Sequence, residues 1–114
     1  MRIPKDGKLL RIFVGEMDRW NGKPLHEEIV LLARKEKMAG ATAIKGFMGF
    51  GAKSHLHTAK LLELSEDLPI VIEIVDSEEN IARFLPFLDP MVREGLVTLE
   101  KVNVILYRAD KPAC

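Results

Sequence analysis

A glycine-rich segment in the middle of the chain has the residue types that bind anions. Residues 46–54 read Gly-Phe-Met-Gly-Phe-Gly-Ala-Lys-Ser, and Lys45 precedes them. Glycines at the end of a strand let backbone N–H groups approach an anion closely, and Lys45 and Lys53 would add positive charge. The spacing fails the phosphate-loop pattern by one residue, because Ala52 separates Gly51 from Lys53. A purely structural role, as bulge and loop glycines without a ligand, is an equal alternative.

Two histidines follow the glycines and could bind a metal ion. His55 and His57 are two residues apart, so in an extended segment both side chains point to the same side. A zinc site typically needs three or four protein ligands, and His26 is the only other histidine in the chain. Solvated loop histidines are therefore the favoured interpretation, and metal binding is the weaker one.

No group of residues has the surroundings of a catalytic nucleophile or of an acid–base pair. None of the serines lies in the strand-turn-helix context of an activated serine, and Cys114 is the final residue. Glu73 is the one carboxylate inside an otherwise apolar stretch. It either faces solvent at a strand edge or forms an ion pair with a base such as Arg11 on a neighbouring strand, and a structural pairing explains it better than catalysis does. We therefore expect the protein not to be an enzyme.

The composition is that of a single small domain. The 114 residues include 17 Lys+Arg and 17 Asp+Glu, and 47% of them are apolar. Balanced charge argues against non-specific nucleic-acid binding, which depends on clustered cations. No stretch is apolar enough for a membrane helix or a signal peptide. These features predict one domain over residues 1–114, with its core at 8–108, located in the cytoplasm and without membrane insertion.

Hydrophobic periodicity predicts four strands, with one helix in each of two β-α-β units. A strand-helix-strand order that occurs twice fits an α+β domain of the ferredoxin-like βαββαβ type. In that fold a four-stranded antiparallel sheet carries both helices on one face. The predicted strands are residues 8–15, 41–50, 68–75 and 97–108.

Capping residues and prolines set the expected ends of the helices. The first helix is expected to begin at Pro24 and to stop at Gly40. The second is expected to open with a capping box over residues 76–79 and to end at Gly95. Pro86 removes one helical hydrogen bond, which predicts a kink or a break there.

Both faces of the predicted sheet are apolar. In the third strand Ile70, Ile72 and Ile74 lie on one side, and Val71 and Val75 lie on the other. The helices cover only one face, and a large exposed apolar face is unusual on a soluble monomer. We therefore expect the open face to pack against other copies of the chain. The less favoured alternative is that the middle segment folds over this face in a monomer.

Several phrases of the sequence resemble the PII signalling family. Ile44-Lys45-Gly46-Phe47 leaves the second predicted strand, residues 68–75 read Leu-Pro-Ile-Val-Ile-Glu-Ile-Val, and residues 104–108 read Val-Ile-Leu-Tyr-Arg. From residue 9 to residue 108 the chain is even more similar to the uncharacterised short PII-like proteins. The phrases shared with them are Gly22-Lys-Pro-Leu25, Ala39-Gly-Ala-Thr42, Gly46-Phe-Met-Gly-Phe-Gly51, Leu64-Ser-Glu-Asp-Leu-Pro69 and Glu94-Gly-Leu-Val-Thr98.

The resemblance implies a homotrimer whose sheets face inward, with a site for ADP or ATP between neighbouring subunits. It implies that Gly46 lies at the root of a flexible loop of about residues 51–67, which a signalling protein presents to a protein partner. It also implies that Arg108 is one of two strand-end arginines at the phosphates. Together with the lysines of the glycine segment, the predicted nucleotide-binding residues are Lys45, Gly46, Gly49, Gly51, Lys53 and Arg108.

Two departures from the PII pattern fall on the expected phosphate site. Leu106 replaces the first strand-end arginine, and residues 93–97 replace the phosphate-binding glycine-lysine turn. Each lost charge-assisted contact is worth roughly 1.5–3 kcal/mol, so we expect a lower ATP affinity than is usual for the family. The alternative function is metal binding by a trimer of the divalent-cation-tolerance type, through His55 and His57.

Overall fold

A four-stranded antiparallel sheet forms the centre of the protein. The computed structural model describes residues 6–50, 57–58 and 67–109. In chain order its elements are β1 (Asp6–Gly15), β2 (Arg19–Trp20), β3 (Lys23–Pro24), α1 (Leu25–Lys35), β4 (Thr42–Lys45), β5 (Met48–Gly49), β6 (His57–Thr58), β7 (Pro69–Asp76), α2 (Glu78–Leu88) and β8 (Leu96–Asn103). The sheet order is β4-β7-β1-β8, and each neighbouring pair is antiparallel. This is the ferredoxin-like arrangement that the sequence predicted.

Alternate residues of the two central strands build the core. Ile72 and Ile74 of β7 and Ile12 of β1 are fully buried, where they join a cluster with residues of both helices. Phe84 of α2 is buried in the same cluster. A strand places every second side chain on one face, so β-branched residues at this spacing fill the space beneath the helices. Burial of each such side chain contributes about 1.5–3 kcal/mol.

The face of the sheet that points away from the helices is also apolar. Register partners place Ile44, Val71, Phe13 and Leu96 in one row across all four strands. Ile44 is 48% exposed and Leu96 is 55% exposed, while the two central residues of the row are half-buried. The prediction that both faces of the strands are apolar is confirmed for this row, whereas the neighbouring row of the open face is polar and charged and consists of Thr42, Glu73, Arg11 and Thr98. Packing of this open face against other copies stays a prediction.

A short hairpin connects β1 to the first helix. β2 and β3 pair around Asn21 and Gly22, whose φ angles are 51° and 79°. Two consecutive positive φ angles are typical of the tight turn that Asn-Gly favours between paired strands. The sequence predicted a turn here. Pro24 ends β3 and is the N-cap of α1, so the helix begins one residue later than predicted, at Leu25.

The first helix ends well before Gly40. The Met38 N–H donates to the Ala33 carbonyl at 2.9 Å, and Lys37 has a φ of 61°. The Lys37 N–H donates to the Arg34 carbonyl at 3.1 Å. This pair of bonds is a Schellman motif, in which Lys37 takes the left-handed position that glycine usually occupies. The predicted stop at Gly40 was wrong, because these bonds satisfy the last carbonyls three residues earlier.

The second helix begins at a serine cap. The Ser77 Oγ accepts a hydrogen bond from the Asn80 N–H at 3.1 Å, which makes Ser77 the N-cap. Asp76 is the last residue of β7 and is fully buried. The capping box expected over residues 76–79 was therefore displaced by one residue, because Asp76 still belongs to the strand.

The second helix continues through its proline. α2 includes Pro86 and ends at Leu88, and a 3-10 turn at Asp89–Met91 follows. The proline leaves the Ala82 carbonyl without its helical partner, but both residues are exposed, so water can bind there. The helix is therefore not broken at Pro86, and its predicted end at Gly95 was wrong.

The last strand is shorter than predicted. β8 ends at Asn103, whose register partner is Asp6 at the start of β1. Residues 104–109 follow without strand structure. The second strand also contracts, to β4 and the separate two-residue β5. Neither helix in the described part of the chain is long and apolar enough to cross a membrane.

Candidate functional site

The glycine segment leaves β4 in close contact with the first residue of β7. The Gly46 N–H donates to the Pro69 carbonyl at 2.7 Å. A Cβ on Gly46 would lie 2.9 Å from Pro69 Cγ, and a Cβ on Gly49 would lie 3.0 Å from the same atom. Packed interiors do not accommodate such short contacts without movement. Packing against Pro69 therefore explains why both positions are glycine, with or without a ligand.

Lys45 lies beside these glycines at the edge of the sheet. Its ammonium group forms an ion pair with Glu16 at 2.7 Å, and the lysine side chain is about half exposed. The Glu16 N–H donates to the Leu68 carbonyl at 2.8 Å, which ties the end of β1 to the start of β7. We call Lys45, Gly46 and Gly49 the glycine edge. The glycine edge places the ammonium group of Lys45 next to the backbone at which the sequence predicts that an anionic ligand binds.

Of the remaining predicted residues of this segment, the structure describes only the backbone of His57. Gly51, Lys53 and His55 lie outside the described residues. His57 lies in β6, where its backbone pairs with Gly49. Within residues 6–50, 57–58 and 67–109, no group of three His, Cys, Asp or Glu residues could hold a metal ion. Anion binding and metal binding by these residues stay predictions.

A cleft with a volume of about 560 Å³ adjoins the beginning of β4. We define this cleft by its three walls, which are residues 39–42 before and in β4, Glu73 and Val75 of β7, and residues 102–107. The Tyr107 hydroxyl donates to the Ala39 carbonyl at 2.8 Å and joins the third wall to the first. Sequence reasoning missed the cleft, because three distant segments build it. The sequence did offer one sign of the cleft: side chains alternate between the two faces of a strand, which places Glu73 and Val75 of β7 together on the open face.

Glu73 is held in place by a guanidinium group. The Arg11 Nε donates to Glu73 Oε2 at 2.9 Å, and the same guanidinium pairs with Glu100. The hydrogen bond to Glu73 raises the pKa of Arg11 above its ordinary value, and the Glu100 carboxylate adds to the effect. The predicted Arg11–Glu73 pairing is confirmed. Arg11 partly neutralises the wall of the cleft, which lowers its repulsion of an anionic ligand.

Arg108 lies on the cleft side and away from the glycine edge. It follows Tyr107 directly and is exposed. Tyr107 contacts Ala39, just before β4 begins, whereas Lys45 and Gly46 stand at the end of that strand. Four strand residues span about 10 Å. One chain therefore carries two separate part-sites, the glycine edge and the cleft with Arg108.

Comparison with known proteins identifies relatives along most of the chain. The model of the family DUF190, described as "Uncharacterized ACR, COG1993", matches residues 7–104. A UPF0166 protein of Aquifex aeolicus (strain VF5) is 40% identical over 105 residues, which cover 92% of this chain and 98% of that protein. A UPF0166 protein of Methanocaldococcus jannaschii is 35% identical over 98 residues, which cover 85% of this chain and 90% of that protein.

Solved structures with a similar fold include CPII from Thiomonas intermedia K12, a nitrogen regulatory PII-like protein. CPII bound to ADP and bicarbonate matches with a TM-score of 0.65 and 20% identity, covering 87% of this chain and 88% of that chain. CPII bound to ADP, AMP and bicarbonate matches with a TM-score of 0.66 at the same identity and coverage. At this level of identity the similarity shows the fold, which is PII-like.

Proposed function

Because the chain belongs to the DUF190 (UPF0166) family and has a PII-like fold, we propose that it is a regulatory protein that binds an adenine nucleotide between copies of itself. The ligand is ADP or ATP. Binding changes the conformation of the loop of about residues 51–67, which a protein partner recognises. The protein catalyses no reaction and requires no cofactor.

The separation of the two part-sites is the observation that carries this proposal. The glycine edge offers Lys45 and a backbone without side chains, and the cleft offers apolar walls, with Arg108 next in the chain after the lining residue Tyr107. An adenine nucleotide has a flat aromatic base with a polar edge at one end and phosphates at the other. The two part-sites of one chain lie at opposite ends of β4, and in the proposal each of them serves a different ligand. The cleft of one copy and the glycine edge of a neighbour would together enclose one such ligand.

The cleft suits the base. Its walls are largely aliphatic, and the Thr42 hydroxyl and the Glu73 carboxylate are hydrogen-bonding groups among them. Ligand sites of this kind combine apolar surface with a few polar groups that fix the orientation of the ligand. The ADP and AMP bound to CPII, which shares the fold, support the choice of an adenine nucleotide.

The glycine edge suits the phosphates. In the proposal, Gly49 and Gly51 of one copy donate backbone N–H groups to phosphate oxygens, and Lys45 and Lys53 approach the same oxygens. Gly46, whose own N–H donates to the Pro69 carbonyl, lets the phosphates come close to the backbone because it has no side chain. Arg108 of the neighbouring copy reaches the phosphates from the other side. Lys45 forms an ion pair with Glu16, so a phosphate that binds Lys45 competes with that carboxylate. This exchange couples the ligand to the edge of the sheet from which the loop departs.

The open face of the sheet supports assembly of several copies. Ile44 and Leu96 leave a row of apolar side chains partly exposed at both edges of the sheet. Contact with other copies would remove this surface from water, which stabilises the assembly by roughly 25 cal/mol per Å² of apolar area. A trimer with inward-facing sheets places the row at its centre and brings the two part-sites of neighbouring copies together.

Calorimetric titration of the dialysed protein with ADP, ATP and cyclic AMP tests the proposal, with light scattering in the same buffer. We expect saturable binding of one adenine nucleotide per chain and a mass of three times 12.9 kDa. A trimer that binds none of the three ligands contradicts the nucleotide function and leaves the assembly intact. A monomer that binds ADP contradicts the shared site.

A further inference from the structure

Asp76 is a buried carboxylate with three hydrogen-bond donors around it. Among the described residues, Asp76 is the only one with a polar or charged side chain that is buried. Its Oδ1 accepts bonds from the Ser77 N–H at 2.7 Å and from Asn80 Nδ2 at 3.0 Å, both at the beginning of α2. Its Oδ2 accepts a bond from the Ala39 N–H at 2.8 Å. These donors replace the water that a buried carboxylate loses.

The third bond connects the helix to a remote part of the chain. The two bonds to Oδ1 hold the start of α2, one through the backbone N–H of Ser77 and the other through the side-chain amide of Asn80. The bond to Ala39 serves no helix, since α1 has already ended at Lys35. Ala39 begins the first wall of the cleft. Asp76 therefore fixes the backbone of the first wall of the cleft, although the two are far apart in the sequence.

Ala39 passes this restraint to a second wall. Its N–H donates to Asp76 and its carbonyl accepts the Tyr107 hydroxyl at 2.8 Å. Tyr107 ends the third wall of the cleft. A single residue thus holds the first and third walls, and its own position depends on a carboxylate that is closed to solvent.

We infer that Asp76 positions the walls of the cleft for the ligand. This inference rests on the proposed function and assigns the preformed shape of the site to one residue outside the lining. A site held in its binding geometry before the ligand arrives loses less conformational freedom on binding. A second contact from the same helix acts in the same direction, because Arg83 Nη2 donates to the Glu36 carbonyl at 2.8 Å.

The substitution Asp76→Asn separates the two roles of the carboxylate. The amide has the same shape, and its oxygen can accept both bonds from the start of α2. Its NH2 group then faces the Ala39 N–H, so that two donors oppose each other. The matched control is Ser77→Ala, which removes the bond from the Asn80 N–H to Ser77 Oγ and leaves Asp76 with Ala39.

The experiment measures ADP affinity by calorimetry and the hydrogen exchange of the Ala39 amide by NMR in the full chain. We expect Asp76→Asn to weaken ADP binding about tenfold and to speed Ala39 exchange by a similar factor. We expect Ser77→Ala to lower stability without changing either quantity. Equal losses of affinity in both variants contradict the inference, since loss of stability alone then explains them.

Tyr107→Phe keeps the test independent of folding, because the residue is exposed and only its hydroxyl is removed. We expect ADP binding to weaken about fivefold. Wild-type affinity in both Asp76→Asn and Tyr107→Phe overturns the inference and leaves the proposed function standing. A wild-type protein that binds no adenine nucleotide overturns the proposed function and this inference with it.

Discussion

Gly46 and Pro69 meet where the glycine segment leaves the sheet, with a hydrogen bond of 2.7 Å from the Gly46 N–H to the Pro69 carbonyl. The proline ring occupies the space that a side chain at position 46 would need. The contact fixes the direction in which the chain departs from β4. It connects the root of the segment to β7, one of the two central strands of the sheet.

Gly46→Ala should lower the stability of the protein. The added Cβ would lie 2.9 Å from Pro69 Cγ, and a proline ring cannot rotate away. We expect a loss of about 1–3 kcal/mol in the free energy of unfolding, measured by urea denaturation. Gly40→Ala is the control, because no atom lies within 4 Å of its added Cβ. A loss of the same size at Gly40 would show that the contact with Pro69 is not the cause.

Leu96→Lys should disrupt the assembly of copies. Leu96 lies on the open face and is 55% exposed, so the single chain tolerates lysine there, whereas an interface would bury the charge. We expect light scattering to show a fall to the mass of one chain, 12.9 kDa. Leu31→Lys changes a leucine that is 56% exposed on α1 and should leave the mass unchanged. Equal masses for the two variants would rule out the open face as the interface.

Arg108→Ala should weaken nucleotide binding. A charge-assisted hydrogen bond to phosphate is worth about 1.5–3 kcal/mol, so the dissociation constant for ADP is expected to rise at least about tenfold. Arg34→Ala removes the same charge from the exposed end of α1 and provides the control. If the two variants bind ADP equally well in calorimetry, Arg108 is not a phosphate ligand.

Lys37→Gly should stabilise the protein. Lys37 has a φ of 61° in the motif that ends α1, and glycine adopts this conformation without the steric cost of a Cβ. We expect a gain of up to about 1 kcal/mol in the free energy of unfolding. Lys35→Gly, at the last residue of α1, should instead lose up to about 1 kcal/mol. A loss at position 37 would mean that the lysine side chain contributes more than its conformation costs.

The sequence predicted the fold well because the central strands carry a strong hydrophobic signal. Apolar stretches rich in β-branched residues identify β1 and β7 as strands, and the two β-α-β units leave few topologies open. The ends of the helices were harder to predict, because hydrogen bonds override residue preference there. Lys37 takes a backbone conformation that favours glycine. Asp76, which was expected to cap α2, also binds the backbone N–H of the distant Ala39.

The candidate site was only partly accessible from the sequence. Lys45, Gly46 and Gly49 are neighbours in the chain, so their grouping at one edge follows from local spacing. The cleft depends on residues 39–42, Glu73 and the segment ending at Tyr107, which only the folded sheet brings together. No local sequence pattern predicts that the Tyr107 hydroxyl and the Asp76 carboxylate both bind the backbone of Ala39.

Strand β7 touches both part-sites, since Pro69 at its first residue contacts the glycine edge and Asp76 at its last residue holds the wall of the cleft. In a closed ring of copies, each β7 would therefore border two different ligands. A movement of Pro69 caused by one ligand would be carried along a rigid strand to the wall that faces the other. Successive binding events would then be cooperative, and the titration curve would deviate from that of independent sites.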